Sequence, residues 1–244
     1  MRVTEALFCG EVHRWRSCWT CLSAALQGDT DPCTSAAIRT IISRSFRPLR
    51  ATSDEALSTG GLTQAAQGIA DFVASGGIER ATVLEIGGGV GQLQVELLRR
   101  GASHVTNLEI SQNYEAEAAR LLDEAGMTDQ VTRRFLDIAQ APGEVESADV
   151  VVLHRVVCCY PDYAALLRAA AGHARKTMAY SHPAANAINR AQFGTENLYR
   201  RFTRSDFRTF IHPPQGMVRA AESEGIKVAL RRHARDWDVV GLVR

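Results

Sequence analysis

The chain has 244 residues, 45% hydrophobic and 23% charged, with a formal net charge of +1 at pH 7. That length accommodates one sizeable α/β domain with an appendage, and the composition is that of a globular protein. The near-neutral charge argues against a long basic surface for nucleic acid, and no apolar run approaches the roughly 20 residues a membrane-spanning helix needs. In chain order, residues 1 to about 50 stand apart. They hold Cys9, Cys18, Cys21 and Cys33 together with Trp15 and Trp19. Trp15, Trp19, Leu22 and Leu26 would line one face of a helix. A second helix is expected from Thr34 to about Phe46, stopped by Pro48. The first residues carry no signal-peptide pattern, because Glu5, Glu11 and His13 interrupt a short apolar stretch. A cytoplasmic location is therefore expected, with the six cysteines as thiols or metal ligands rather than disulfides.

Residues 51–61, rich in Ser, Thr and Gly, read as a linker. The expected division is an N-terminal helical lid over 1–61 and a second domain over 62–244. Thr63 can N-cap a helix to about Ala74, which Gly76-Gly77 ends. From Ala81 onward, strand and helix patterns alternate. Strands are expected at 81–86, 104–109, 131–136, 148–153, 176–181, 226–232 and 236–243. Helices are expected at 91–100, 113–125, 161–175 and 213–224, with Pro161 in a first helical turn. This is an α/β fold, a doubly wound and mostly parallel seven-stranded sheet. The last two strands have no helix between them and should form an antiparallel hairpin.

The segment Val83-Leu84-Glu85-Ile86-Gly87-Gly88-Gly89-Val90-Gly91-Gln92 carries the strongest functional signal. The dinucleotide fingerprint, started at Gly87, needs glycine at position 92, where the chain has Gln92. A nicotinamide-dependent oxidoreductase is disfavoured accordingly. The pattern present is Glu-x-Gly-x-Gly-x-Gly, on Glu85, Gly87, Gly89 and Gly91. It resembles the first motif of the class I S-adenosylmethionine (SAM) methyltransferases, and the resemblance extends over roughly residues 62–244.

That resemblance implies SAM as cofactor and S-adenosylhomocysteine as product, with Glu85 near the ammonium of the ligand's amino-acid end. In a doubly wound sheet the ligand lies at the C-terminal edge of the strands. Glu109, at the end of the second strand, would accept hydrogen bonds from both ribose hydroxyls. Asp137, at the end of the third, resembles the family residue that bonds the adenine amino group; it could equally cap the next turn. Ile110 and Ile138 are the adjoining apolar residues expected against the cofactor.

The fourth strand runs into His154-Arg155-Val156-Val157-Cys158-Cys159-Tyr160-Pro161. The Asn/Asp-Pro-Pro-Tyr/Phe motif of amino and DNA methyltransferases is absent, which with the charge argues against a nucleic-acid substrate. Quinone and porphyrin O-methyltransferases have a similar turn. Lined up on Tyr160-Pro161, their histidine falls at Cys159 and their acidic positions at Arg155 and Cys158. The set that would activate a phenol or bind a divalent metal is thus missing. His154 and Tyr160 are the candidate catalytic residues: His154 as a base or as a contact to the cofactor or glycine loop, Tyr160 as a substrate-orienting or packing group. His182 and His212 lie where substrate walls form in that fold, or read as surface or capping histidines. Cys158-Cys159 reads either as two soft packing residues or as a thiol site that joins the N-terminal cysteines. The spacing of those cysteines makes no convincing zinc module, so no metal is expected. The function implied is methyl transfer to a small molecule whose site lies between the segment after the fourth strand and the N-terminal lid. A non-catalytic SAM- or partner-binding protein is the alternative. Neither a nucleic-acid nor a membrane partner is expected.

Overall fold

The computed structural model of the protein describes residues 61–204 and 207–244. The expected N-terminal helices, their cysteines and the lid as a whole lie outside the described residues, Gly61 excepted. Helix α1 (Gln64–Ser75) opens the described chain, and the Thr63 side chain caps it by accepting the Ala66 N–H at 3.2 Å. Strands and helices then follow as β1 (Thr82–Ile86), α2 (Gln92–Arg99), β2 (His104–Glu109), α3 (Glu115–Ala125), β3 (Val131–Phe135), β4 (Ala148–Leu153) and α4 (Tyr163–His173). The remainder is β5 (Ala174–Pro183), α5 (Ala187–Phe202), α6 (Pro214–Glu222), β6 (Lys227–Ala234) and β7 (Trp237–Val243).

The sheet order is β3-β2-β1-β4-β5-β7-β6. β1 to β5 are parallel; β7 runs antiparallel to both β5 and β6. This is the doubly wound sheet with a terminal hairpin that the pattern of elements implied. Val83, Val105, Val150, Val152 and Val239 turn to one face, where Ile69 and Val73 of α1 and Leu97 of α2 complete a buried cluster. Successive strand residues alternate between faces, so Glu85 and Asn107 project to this same side, directly opposite each other in the β1–β2 register. α4 and α6 pack against each other, burying Leu166, Leu167, Met217 and Val218.

Two expectations are corrected. Pro161 stands outside α4, because Asp162 takes the cap position and its Oδ1 accepts the Ala165 N–H at 2.9 Å. Helix α5 was not expected. Apart from Phe193, its large apolar residues recur at helical spacing but face outward, and Gly194-Thr195 weaken the local propensity. The other boundaries agree within two residues.

Candidate active site

At the C-terminal ends of β1 and β2, the loop Gly87–Gly91 reverses the chain into α2. Gly87, Gly89 and Gly91 all have positive φ, at +67°, +56° and +98°. At Gly89 a side chain would point into open space, so the glycine leaves one side of the loop bare. At Gly88 there is no room for one. The loop lies directly on the side chains of Glu85 and Asn107, and a Cβ would collide with both. Gly88 was not singled out in the motif, although a third consecutive glycine was a signal for such close approach.

Glu85 is therefore beneath the loop. It is 1% exposed, and its Oε2 accepts a hydrogen bond from Asn107 Nδ2 at 3.1 Å. Burial pushes its pKa up to about 7, against the lowering effect of the Asn107 bond. Gln94, fully buried and placed against Gly91, has an amide without a protein partner.

Glu109 fastens the loop to β2. Its Oε2 accepts the Gly89 N–H at 3.0 Å, and its Oε1 accepts the Ile110 and Ser111 N–H groups at 2.9 and 3.0 Å. Burial raises the carboxyl pKa, and the three amides oppose that rise. Arg133, which the sequence reading passed over as a strand residue, grips the loop from its carbonyl side. Its Nη2 donates to Gly89 O at 3.1 Å and pairs with Glu115 at 2.8 Å.

Beside the loop lies an apolar pocket, walled by Ile86, Leu108, Ile110, Ile138 and Val156. Asp137 and Tyr160 stand at its polar end. The Tyr160 hydroxyl donates to Asp137 Oδ2 at 3.0 Å, and the Ala139 N–H donates to Oδ1 at 3.0 Å. Gln140 Nε2 donates to the Tyr160 oxygen at 3.3 Å. Tyr160 thus orients Asp137, and burial holds its phenol well above the ordinary range.

His154, at the tip of β4, lies between two hydroxyls, with Nδ1 2.9 Å from Ser181 Oγ and Nε2 3.2 Å from Thr63 Oγ1. A neutral imidazole offers one donor and one acceptor, and either tautomer satisfies both contacts. Burial, with Arg155 alongside, lowers the pKa to about 3. The ring joins β4, β5 and the start of α1. Thr63 was legible as a cap, but this second contact was not. Arg155 follows in the left-handed region at φ +59°, its N–H donating to Ser181 Oγ at 3.0 Å.

Cys158 and Cys159 are free thiols with sulfurs 3.5 Å apart. The N-terminal cysteines of the expected thiol site are outside the described residues. His182 is 3% exposed inside β5, its Nδ1 donating to Pro183 O at 3.0 Å; it is a core histidine, not a surface one. His212 stacks on Phe210 and donates from Nε2 to Tyr160 O at 3.0 Å. It ties the segment before α6 to the turn after β4.

The residues fit SAM on two observations. Gly89 leaves the loop open, and an apolar pocket at the strand ends has Asp137 in its lining, with Glu109 bonded to its wall residue Ile110. A family model described as a methyltransferase domain matches residues 83–177. No curated protein matches the chain significantly. Among solved structures, magnesium protoporphyrin IX methyltransferase from Synechocystis PCC 6803 with bound SAM is similar at 19% identity and a TM-score of 0.63, over 84% of this chain and 96% of that one. An O-methyltransferase family protein from Burkholderia thailandensis is 18% identical with a TM-score of 0.60, over 73% and 56% of the two chains. The [4+2]-cyclase SpnF is 14% identical with a TM-score of 0.57, over 74% and 81%. At these identities the likenesses establish the fold. That fold is the one the glycine motif resembles, the class I SAM-dependent methyltransferase fold, and the matched methyltransferase domain lies within it.

Proposed function

We propose that the protein transfers a methyl group from SAM to a small-molecule acceptor that enters beside the His154–Tyr160 segment. The observation that carries this reading is the apolar pocket beside the glycine loop, with Asp137 in its lining and the anchored carboxylate of Glu109 adjoining its wall residue Ile110. When bound, SAM supplies an electrophilic methyl on a sulfonium, with a neutral thioether as leaving group. The chain's own part is to bind and orient. Glu109 takes a ribose hydroxyl on the lone pair its three amide contacts leave free. Asp137, fixed by Tyr160, takes the adenine amino group, with Ile110 and Ile138 against the ring. Glu85 acts through the loop, as a buried group beneath Gly88 that favours positive charge nearby when ionised. His154 and Tyr160 are positioning residues in this reading, since their polar atoms are engaged by Ser181, Thr63 and Asp137. Proximity and orientation contribute up to about 7–11 kcal/mol in favourable cases, so a displacement with a good leaving group can proceed without a dedicated base.

The near-neutral charge favours a small acceptor over nucleic acid. One observation favours a second reading, a SAM-binding protein without methyl transfer: a fold neighbour is named a [4+2]-cyclase. Calorimetric titration with SAM, run beside a radiolabelled methyl-transfer assay on small-molecule extracts, separates the two. Binding with label transfer supports the proposal. Binding without transfer to any extract supports the alternative, and no binding refutes both.

A further inference from the structure

Helix α5 is built inside out. Its inward side carries the half-buried Phe193 and is otherwise held by polar groups. Asn189, its only buried residue, donates to the carbonyls of Ala184 and Asp236, both at 2.9 Å. Asn197 exchanges hydrogen bonds with the Thr209 backbone at 2.7 and 3.0 Å. Arg200 pairs with Glu196 and lies over the Phe207 ring.

The outward side is apolar. Ile188, Leu198, Tyr199 and Phe202 are 75%, 54%, 69% and 78% exposed, four of the six exposed large hydrophobics among the described residues. At 3.6 residues per turn these four fall within an arc of roughly 100°, with Ala191 and Thr195 between them. An ordinary surface helix turns that stripe toward the core. Arg190 and Arg201 border it on one side, and Arg204 follows the helix; all three are exposed. Residues 187–208 contain five arginines against Glu196 and Asp206.

An apolar stripe bordered by arginines suits the interface of an anionic bilayer. Alkyl and aromatic groups enter the acyl boundary while guanidinium groups reach lipid phosphates. We propose that α5 is an in-plane docking helix for an anionic lipid surface. No helix among the described residues is long and apolar enough to cross a membrane, and an in-plane helix does not need to be. α5 leaves the C-terminal end of β5, the sheet edge that carries the pocket. The segment returning from it bonds the turn after β4, Phe210 N–H donating to Cys158 O at 2.7 Å. Docking through α5 therefore brings that edge of the sheet to the bilayer.

The test is co-sedimentation of the full chain with phosphatidylcholine vesicles, with and without one-third phosphatidylglycerol. Pelleting with the anionic vesicles is expected, reduced about tenfold or more by Phe202→Ser through lost apolar burial. Arg201→Glu should reduce it about tenfold through charge. Both positions are exposed, and circular dichroism checks the fold; Tyr199→Ser replaces Phe202→Ser if that variant is unfolded. Failure of the full chain to pellet, or pelleting that none of these substitutions weakens, overturns the proposal. So does sedimentation velocity showing a dimer that Phe202→Ser dissociates, which would give the face to a second copy of the chain.

Discussion

In the proposed site, a few buried polar side chains each carry a distinct signature. Glu109→Ala is expected to lower SAM affinity about ten- to a hundredfold in calorimetric titration, since a charged acceptor contributes roughly 1.5–3 kcal/mol. Tyr160→Phe removes one neutral donor from Asp137. It should weaken SAM binding by about two- to tenfold while leaving kcat nearly intact, the split expected of a positioning residue. Glu85 links the site to pH. Its folded pKa of about 7 lies above the ordinary 4.5, so the native state holds this proton more tightly than the unfolded chain. Its effect on stability is therefore nil below about pH 4.5 and grows unfavourable as pH rises through about 7, by about 3 kcal/mol in all. Glu85→Gln should flatten that slope in urea titrations between pH 4.5 and 8; an unchanged slope would mean the carboxyl is not buried. His154 has the opposite sense. With its pKa lowered to about 3 it stays neutral near pH 7, so it costs stability only as pH falls below about 6.5. The rate profile should accordingly show no step near 6.5 that His154→Gln removes. Glu85, Glu109 and Asp137 could be picked out from the sequence because strand ends are legible. Asn107 as the partner of Glu85, and Ser181 and Thr63 as the partners of His154, could not, because those contacts join residues 22 to 91 positions apart.

At the scale of elements, the two ends of the sheet do different work. At the end away from the site, Asp149 on β4 accepts the Thr82 N–H at 3.0 Å and pairs with Arg175 and Lys176 of β5. The Thr82 bond, with help from those cations, holds its carboxyl well below the usual range. That stabilisation is present above about pH 3.8 and is lost as pH falls. Asp149→Ala should cost about 1–2 kcal/mol in thermal or urea unfolding and leave SAM affinity unchanged. A large loss of affinity would show that the two ends are coupled. At the site end, Gly88→Ala should do the reverse of a surface change: it forces the loop off Glu85 and Asn107 and should weaken SAM binding more than it lowers stability. The alternation of strands and helices was legible because apolar spacing reports which face is buried. α5 was not, since its apolar stripe is outward and its fixed face, Phe193 apart, is polar.

For the molecule as a whole, the division near residue 61 remains our proposal, with the chain from 62 onward as the SAM-binding domain. Deleting residues 1–50 should then leave a cooperatively folded protein with near wild-type SAM affinity, measured by thermal unfolding and titration, and should lower turnover if those residues serve the acceptor. Loss of folding would refute the division. By itself, the sequence determined the order of strands and helices, the glycine turn and the acids at the strand ends, because each depends on local spacing. Only the tertiary structure decided what those groups face. It put Glu85 under the loop, turned Tyr160 onto Asp137, closed His154 between two hydroxyls and left the stripe of α5 outside. Burial and hydrogen-bond partners come from segments far apart in the chain, and they set whether a carboxyl is charged, a ring is neutral or an apolar face still needs a cover.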